Sequence, residues 1–224
     1  MDKRWRRFSK MPILQFLGQI MTDLKTFLAI DLEMNSPEGT YETGKIIQVG
    51  IAIGNLHMYK YNLQPKPDYI EKSWYVNPYE KIYPRITELT GITDEDVTQK
   101  SSSLEDIHNE IQNLMKEYEC YPNPIVWGGG DAELFKKELN LSLGYCKIFG
   151  HREIDIKTLF TFLKLAKNEK TNSSLQTALN SFKIKFIGTP HRAMDDAHNT
   201  LSLFFAMMIK QQNINNLIQK AKEL

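Results

Sequence analysis

Residues 26–34, TFLAIDLEM, run four consecutive apolar side chains, Phe27, Leu28, Ala29 and Ile30, into two carboxylates, Asp31 and Glu33. An apolar run of this length reads as a buried strand. A second run, KIIQVGIAIGN at 45–55, is apolar on both faces. Strands of this kind belong inside a sheet with packed layers over it. After the turn signal Gly54-Asn55, LHMYKYNLQP at 56–65 reads as a further strand, and EKSWYVNP at 71–78 alternates until Pro78. The opening is an antiparallel meander.

The pattern then changes. ITELTGI at 86–92 reads as a short helix ended by Gly91. Over 102–118, Leu104, Ile107, Ile111, Leu114 and Met115 have helical spacing behind a capping sequence at Ser102. NPIVWGG (123–129) and EIDI (153–156) read as short strands. Helices are expected over 131–141, 157–167 and 173–182, the last capped by Ser173 or Ser174, and from near His191 to about Gln211. Strands first, then strands alternating with helices, predict an α/β fold with a mixed sheet flanked by helices. No repeat or low-complexity linker divides the 224 residues.

Composition narrows the class. Hydrophobic residues at 42% and charged residues at 25% fit a globular protein, and no run approaches the roughly 20 apolar residues of a membrane span. Two cysteines, Cys120 and Cys146, are too few for a disulfide framework and lack zinc-ligand spacing, so the expected compartment is the cytoplasm. The first ten residues, MDKRWRRFSK, carry +4 in a chain of net +1, which leaves −3 elsewhere. Such a tip is either a basic contact for nucleic acid, an acidic partner or a membrane surface, or a free terminus. MPILQFLGQIM behind it is short, interrupted by Gln15 and Gln19, and lacks a small-residue cleavage site. It reads as an amphipathic helix rather than a signal peptide. The expected organisation is an N-terminal extension (1–22), one domain (23–212) and a helical tail (213–224).

On a strand, Asp31 and Glu33 project from the same face. Two carboxylates ending a buried strand repel each other, and either both reach water or a divalent cation lies between them. Oxygen ligands favour Mg²⁺ or Mn²⁺ over zinc. A third carboxylate, Asp131 in VWGGGDAELF, follows three glycines at a helix start, where it is either a helix cap or a ligand. HRAMDDAHNT at 191–200 places His191 five residues before Asp196. With the helix starting at Arg192 or Ala193, His191 lies on the entering loop and Asp196 on the next turn. Asp195 is then a first-turn acid favoured by the helix dipole, and His198 a packing or solvent residue. Asp155 in EIDI caps the helix that follows or supports the site from behind.

Together AIDLEM, WGGGDAELF and HRAMDDAHNT resemble the three motifs of the DEDD 3′–5′ exonucleases, and His191 places the resemblance in their histidine-bearing, DnaQ-like DEDDh branch. ITELTGIT and SLQTALNSFKIKF also resemble that branch's connecting segments, so the likeness covers about residues 24–210. It implies a ribonuclease H-like mixed β-sheet, with the first three strands antiparallel and parallel strands after them, flanked by α-helices. It also implies a metal-dependent exonuclease acting on single-stranded 3′ ends of RNA or DNA and releasing nucleoside 5′-monophosphates. Asp31, Glu33, Asp131 and Asp196 are then catalytic carboxylates holding two divalent cations, Mg²⁺ or Mn²⁺, and His191 is the general base. Met34 and Asn35 stand where many members have Thr-Thr. WYVNPYEKIYPRITELTGITDEDV is nearer in character to Eri and KapD-like members, many of which process RNA. Met34, Asn35, Leu89 and Thr90 are expected to seat the terminal nucleotide, although Leu89 has an equal claim to packing. Two other readings remain: a nucleic-acid- or polymerase-binding module that keeps the fold without turnover, and a phosphoesterase for small nucleotides.

Overall fold

A computed structural model of the chain describes residues 24–37, 44–61, 67–144 and 148–222. The expected N-terminal extension and Cys146 lie outside these residues. Strand β1 (Thr26–Asn35) pairs antiparallel with β2 (Lys45–Asn55), and β2 pairs antiparallel with β3 (Ile70–Tyr75). Two short strands, β4 (Ile125–Val126) and β5 (Ile154–Asp155), add parallel to the other side of β1. The five-stranded order is β3-β2-β1-β4-β5. This is the mixed, ribonuclease H-like sheet that the sequence predicted.

Alternation along β1 divides the core. Phe27 and Ala29 face one layer with Leu201 and Phe205, while Leu28 and Ile30 face another with Ile107, Ile111 and Phe135. The second layer is made by α4 (Leu104–Glu117) and α5 (Asp131–Leu143). The first is made by α6 (Ile156–Leu165), α7 (Leu175–Ser181) and α8 (Ala193–Lys222). Because Asp31 and Glu33 share the parity of Phe27 and Ala29, their side chains project on the α8 side.

Three local readings change. Residues 56–61 form a helix, α1 (Leu56–Tyr61), instead of a strand, while 62–66 lie outside the described residues. The reason is Asn55, whose Oδ1 accepts the Met58 N–H and starts a helical turn where a hairpin was expected. Ser103 rather than Ser102 caps α4, accepting from the Asp106 N–H. Helix α8 does not stop near Gln211 but runs unbroken for 30 residues to Lys222. Two short helices between β3 and α4, α2 (Pro84–Thr90) and α3 (Asp94–Gln99), bring the chain back over the end of the sheet. Gly91 closes α2 in the left-handed region, as expected. No helix among the described residues is long and apolar enough to cross a membrane.

Candidate active site

The first turn of α8 reaches β1 because β2 lets it. Gly50 lies opposite Asp31 in the ladder, and a Cβ there would stand 2.1 Å from the Ala193 carbonyl carbon and from the Met194 nitrogen. The helix backbone therefore rests directly on the strand. Next to it, the buried Gln48, opposite Glu33, accepts the Ala193 N–H through Oε1 and donates from Nε2 to Ser73 Oγ. These two residues fix the start of α8 beside the two strand carboxylates. Gly50→Ala should displace that start and lower turnover about 100-fold, the usual cost of about 1 Å of misplacement at a reacting centre. Circular dichroism and kcat measured together check this: a folded variant of full activity would contradict the assignment.

The loop entering α8 is tied to the helix by its own carboxylates. Asp196 Oδ2 accepts the His191 N–H at 2.8 Å, and Asp195 Oδ2 accepts the Thr189 N–H at 2.8 Å. Asp195 is thus more than a dipole partner, since it anchors the loop that presents His191. His191 adopts φ 61°, the left-handed region, and its side chain is exposed. Donor atoms of Glu33, His191 and Asp196 lie within 4.8 Å of one another. His198 takes the packing side, buried against Tyr69 and hydrogen-bonded to Glu71.

Asp131 arrives from the other side of β1. The three glycines before it have φ of 100°, 73° and 103°, a path that side-chain-bearing residues rarely follow. The loop is pinned from behind: the Gly128 N–H donates to Asp155 Oδ1, and the Gly130 N–H to Glu153 Oε2. Asp155 also caps α6 through the Lys157 N–H, so it fills both roles open to it in the sequence. Gly130, not Asp131, occupies the cap position of α5, and the Asp131 carboxylate instead accepts the backbone N–H of Leu32. That contact places it against the strand carrying Asp31 and Glu33.

The four carboxylates feel each other strongly. Burial, then the charges of Asp131, Asp196 and Glu33, holds Asp31 well above the usual carboxylate range. Burial, then Asp196 and Asp131, lifts Glu33 to about 8 against the opposing pull of Arg192. Asp131 is also raised, by burial and then by Glu153. Asp196 is raised to about 6, chiefly by burial, although the His191 N–H opposes the shift. Four acids that resist ionisation together form a site that gains most from a divalent cation. Hard oxygen donors with one imidazole at the rim fit Mg²⁺ or Mn²⁺.

A cleft of about 450 Å³ opens over this cluster, lined among others by Asp31, Glu33, His191 and Asp196. A second cavity, of about 440 Å³ around Val76 and Tyr79, includes none of the five. The proposed nucleotide seat is more divided. Asn35 is fully buried, donating to Glu80 and the Lys81 carbonyl and accepting from the Tyr83 N–H, so its side chain braces the approach to α2. Thr90 is buried, donating to the Ile86 carbonyl and accepting from the Ile92 N–H. Met34 sits half-buried against the α4–α5 layer. Of the four, only Leu89 is exposed.

An exonuclease family model, RNase_T, matches residues 28–204. The chain belongs to this exonuclease family. Its motifs, with His191 in the third, are of the DnaQ-like DEDDh type. Among solved structures, the chain is similar to the nuclease domain of 3′hExo, a DEDDh family member solved with rAMP bound. The TM-score is 0.67 at 19% identity, over 83% of this chain and 92% of that one. It is also similar to cell-death related nuclease 4 (CRN-4), with TM-score 0.65 and 17% identity over 84% of this chain and 65% of that one. E. coli exonuclease I, solved with a dT13 oligonucleotide, gives TM-score 0.62 and 15% identity over 86% of this chain and 43% of that one. No curated protein matches the chain in sequence.

Three residues of the candidate site escape a motif reading. Gln48 and Gly50 are one polar and one minimal residue inside an otherwise apolar strand, an interruption that marks the face receiving α8. Arg192, beside the motif histidine, donates to the Tyr75 hydroxyl at 3.3 Å and reaches the Gly91 carbonyl at 3.5 Å. It thereby joins the end of β3 and the end of α2 to the carboxylate cluster, and its charge acts on Glu33.

Proposed function

We propose that this exonuclease removes nucleotides from the 3′ end of single-stranded RNA or DNA and releases nucleoside 5′-monophosphates. The observation that carries the reading is the convergence of Asp31, Glu33 and Asp196 on one open cleft with His191, while the charge of Asp131, from a third element, acts on both strand carboxylates. Similar folds hold rAMP in one case and dT13 in another, which supports leaving both sugars open.

Two divalent cations, Mg²⁺ or Mn²⁺, held by the four carboxylates would supply charge stabilisation at the scissile phosphate. The chain's own residues do the rest. His191, exposed and held through its backbone N–H by Asp196, takes the proton of the attacking water, a task suited to an imidazole at neutral pH. Asp196 sets the distance between that ring and the cluster by holding the His191 N–H. Leu89, exposed at the end of α2, packs on the terminal nucleotide and limits attack to the last linkage. Met34, Asn35 and Thr90 shape this seat from beneath, through packing and hydrogen bonds.

A 5′-labelled single strand should shorten to a descending ladder with Mg²⁺ or Mn²⁺ and remain intact in chelator. Tight binding without shortening at saturating metal would instead favour a binding module. Rapid cleavage of a nucleotide ester with no action on oligonucleotides would favour a small-molecule phosphoesterase. His191→Ala should lower kcat by about 10²–10⁴-fold, the usual range for a lost general base, and flatten the pH dependence of the rate on its acid side. Retention of the full rate and profile would remove His191 from the mechanism.

A further inference from the structure

The cleft is not centred on the carboxylates. From Asp31 and Glu33 it extends away from α2, toward the β4–β5 side of the sheet, where Trp127, Lys157, Gln176 and Phe186 line it. Each of these comes from a different segment. Trp127 directly follows β4 and leads into the glycine loop. Lys157 opens α6, Gln176 lies in the first turn of α7, and Phe186 precedes the His191 loop.

The chemistry of this arm is unlike that of the acidic centre. Trp127 is half-buried, and its ring is backed by Phe160 with centroids 6.4 Å apart, so one part of the indole is held while another remains open. Lys157 is exposed and makes no ion pair among the described residues. Its side chain lies over Gly128, where a Cβ would meet Lys157 Cδ at 3.5 Å. An aromatic ring and an unpaired cation in one groove are what a nucleotide needs, a π face for its base and a positive charge for its phosphate.

Resting on the exonuclease reading, we infer that this arm is a subsite for the nucleotide preceding the scissile phosphate, with Lys157 meeting its 5′-phosphate and Trp127 its base. The polarity follows from the proposed seat of the terminal nucleotide at Leu89, on the side where Arg192 ties Gly91 to Tyr75. With the 3′ end there, the rest of the strand leaves across β1 toward β4 and β5. The subsite makes the exonuclease prefer a polynucleotide chain to an isolated nucleotide ester.

The test compares two substrates that share the terminal nucleotide. One is a single-stranded oligonucleotide, and the other is the p-nitrophenyl ester of thymidine 5′-monophosphate, in which nitrophenol replaces the preceding nucleotide. Lys157→Gln should raise KM for the oligonucleotide about tenfold, the usual scale of one lost charged contact, with a much smaller effect on the ester. The slope of log KM against log salt should fall by about 0.7, the share of one phosphate contact to a single strand. Trp127→Leu should raise the oligonucleotide KM to a similar degree and leave that slope as it was. Equal losses on both substrates, or an unaltered salt slope in Lys157→Gln, would overturn the subsite. If the wild-type protein cleaves neither substrate, the exonuclease reading itself fails, an outcome separate from the first two.

Discussion

Replacing Asp31 by asparagine should abolish nucleotide release and at the same time make the metal-free protein more resistant to heat. The two effects have one cause. Burial, together with the charges of Asp131, Asp196 and Glu33, holds the Asp31 carboxyl well above the ordinary range. The unfolded chain carries no such penalty, so at neutral pH this group favours unfolding. Asparagine keeps the shape, removes the charge and can donate to the neighbouring carboxylates. Each 1 kcal/mol regained should raise Tm by about 2–4 °C in a chain of this size. Activity moves the other way, by a factor on the order of 10³ or more, because the proposed mechanism loses the charge that would hold a cation at the centre of the site. Thermal melts in chelator and turnover in Mn²⁺ on the same preparation check both. A variant that lost activity and stability together would show that Asp31 contributes to packing rather than to a charged centre.

The second large effect is a pH dependence of stability that metal reverses. Glu33 at about 8, Asp196 at about 6 and the raised Asp31 and Asp131 all keep protons in the folded state that the unfolded chain releases near pH 4. A carboxylate raised in this way stabilises the fold fully below its unfolded value, and that contribution is lost as pH rises through the folded value. In chelator, Tm should therefore fall from about pH 4 to about pH 8. Divalent cations bind the ionised forms, so the rise in Tm on adding Mg²⁺ or Mn²⁺ should be small at pH 5 and largest near pH 8. Scanning fluorimetry across this range checks the sign. A metal shift independent of pH, or one largest in acid, would place the cation elsewhere.

The features legible in the sequence are those enforced by burial and by charge. The apolar run Phe27–Ile30 reads as a buried strand, and the i, i+2 spacing of Asp31 and Glu33 puts both acids on one face of it. Asp131 was ambiguous, because Asp at a helix start is usually a cap. The ambiguity ends in three dimensions, where Gly130 takes the cap position and the Leu32 N–H draws the carboxylate to β1. Residues 56–61 misled because turn chemistry is local: Asn55 serves a hairpin or a helix cap equally well, and the acceptance of the Met58 N–H decides between them. Helix α3 carries its own signal in the sequence. Thr93 and Asp96 form a reciprocal capping box three residues apart.

The residues that build the site's frame were hidden for another reason. Gln48 matters through Ala193, 145 residues on in sequence, and Gly50 through the same helix start, and neither carries catalytic chemistry of its own. Asn35 and Thr90 show the converse. Their place near the motifs drew them into the nucleotide seat, yet their polar groups are spent on the Glu80 side chain and on backbone partners inside the protein. Position along a motif identifies a neighbourhood, whereas burial and hydrogen bonding identify what each side chain has left to offer a substrate.

The most direct measurement follows a single phosphate. An oligonucleotide carrying a radiolabel only in its last phosphodiester is incubated with the protein in Mn²⁺ and, separately, in chelator. The expected result is that the label leaves first, entirely as a nucleoside 5′-monophosphate, in Mn²⁺ alone. Label that stays in the shortened strand, appears as a 3′-phosphate, or is released equally in chelator would contradict a metal-dependent centre acting from the 3′ end.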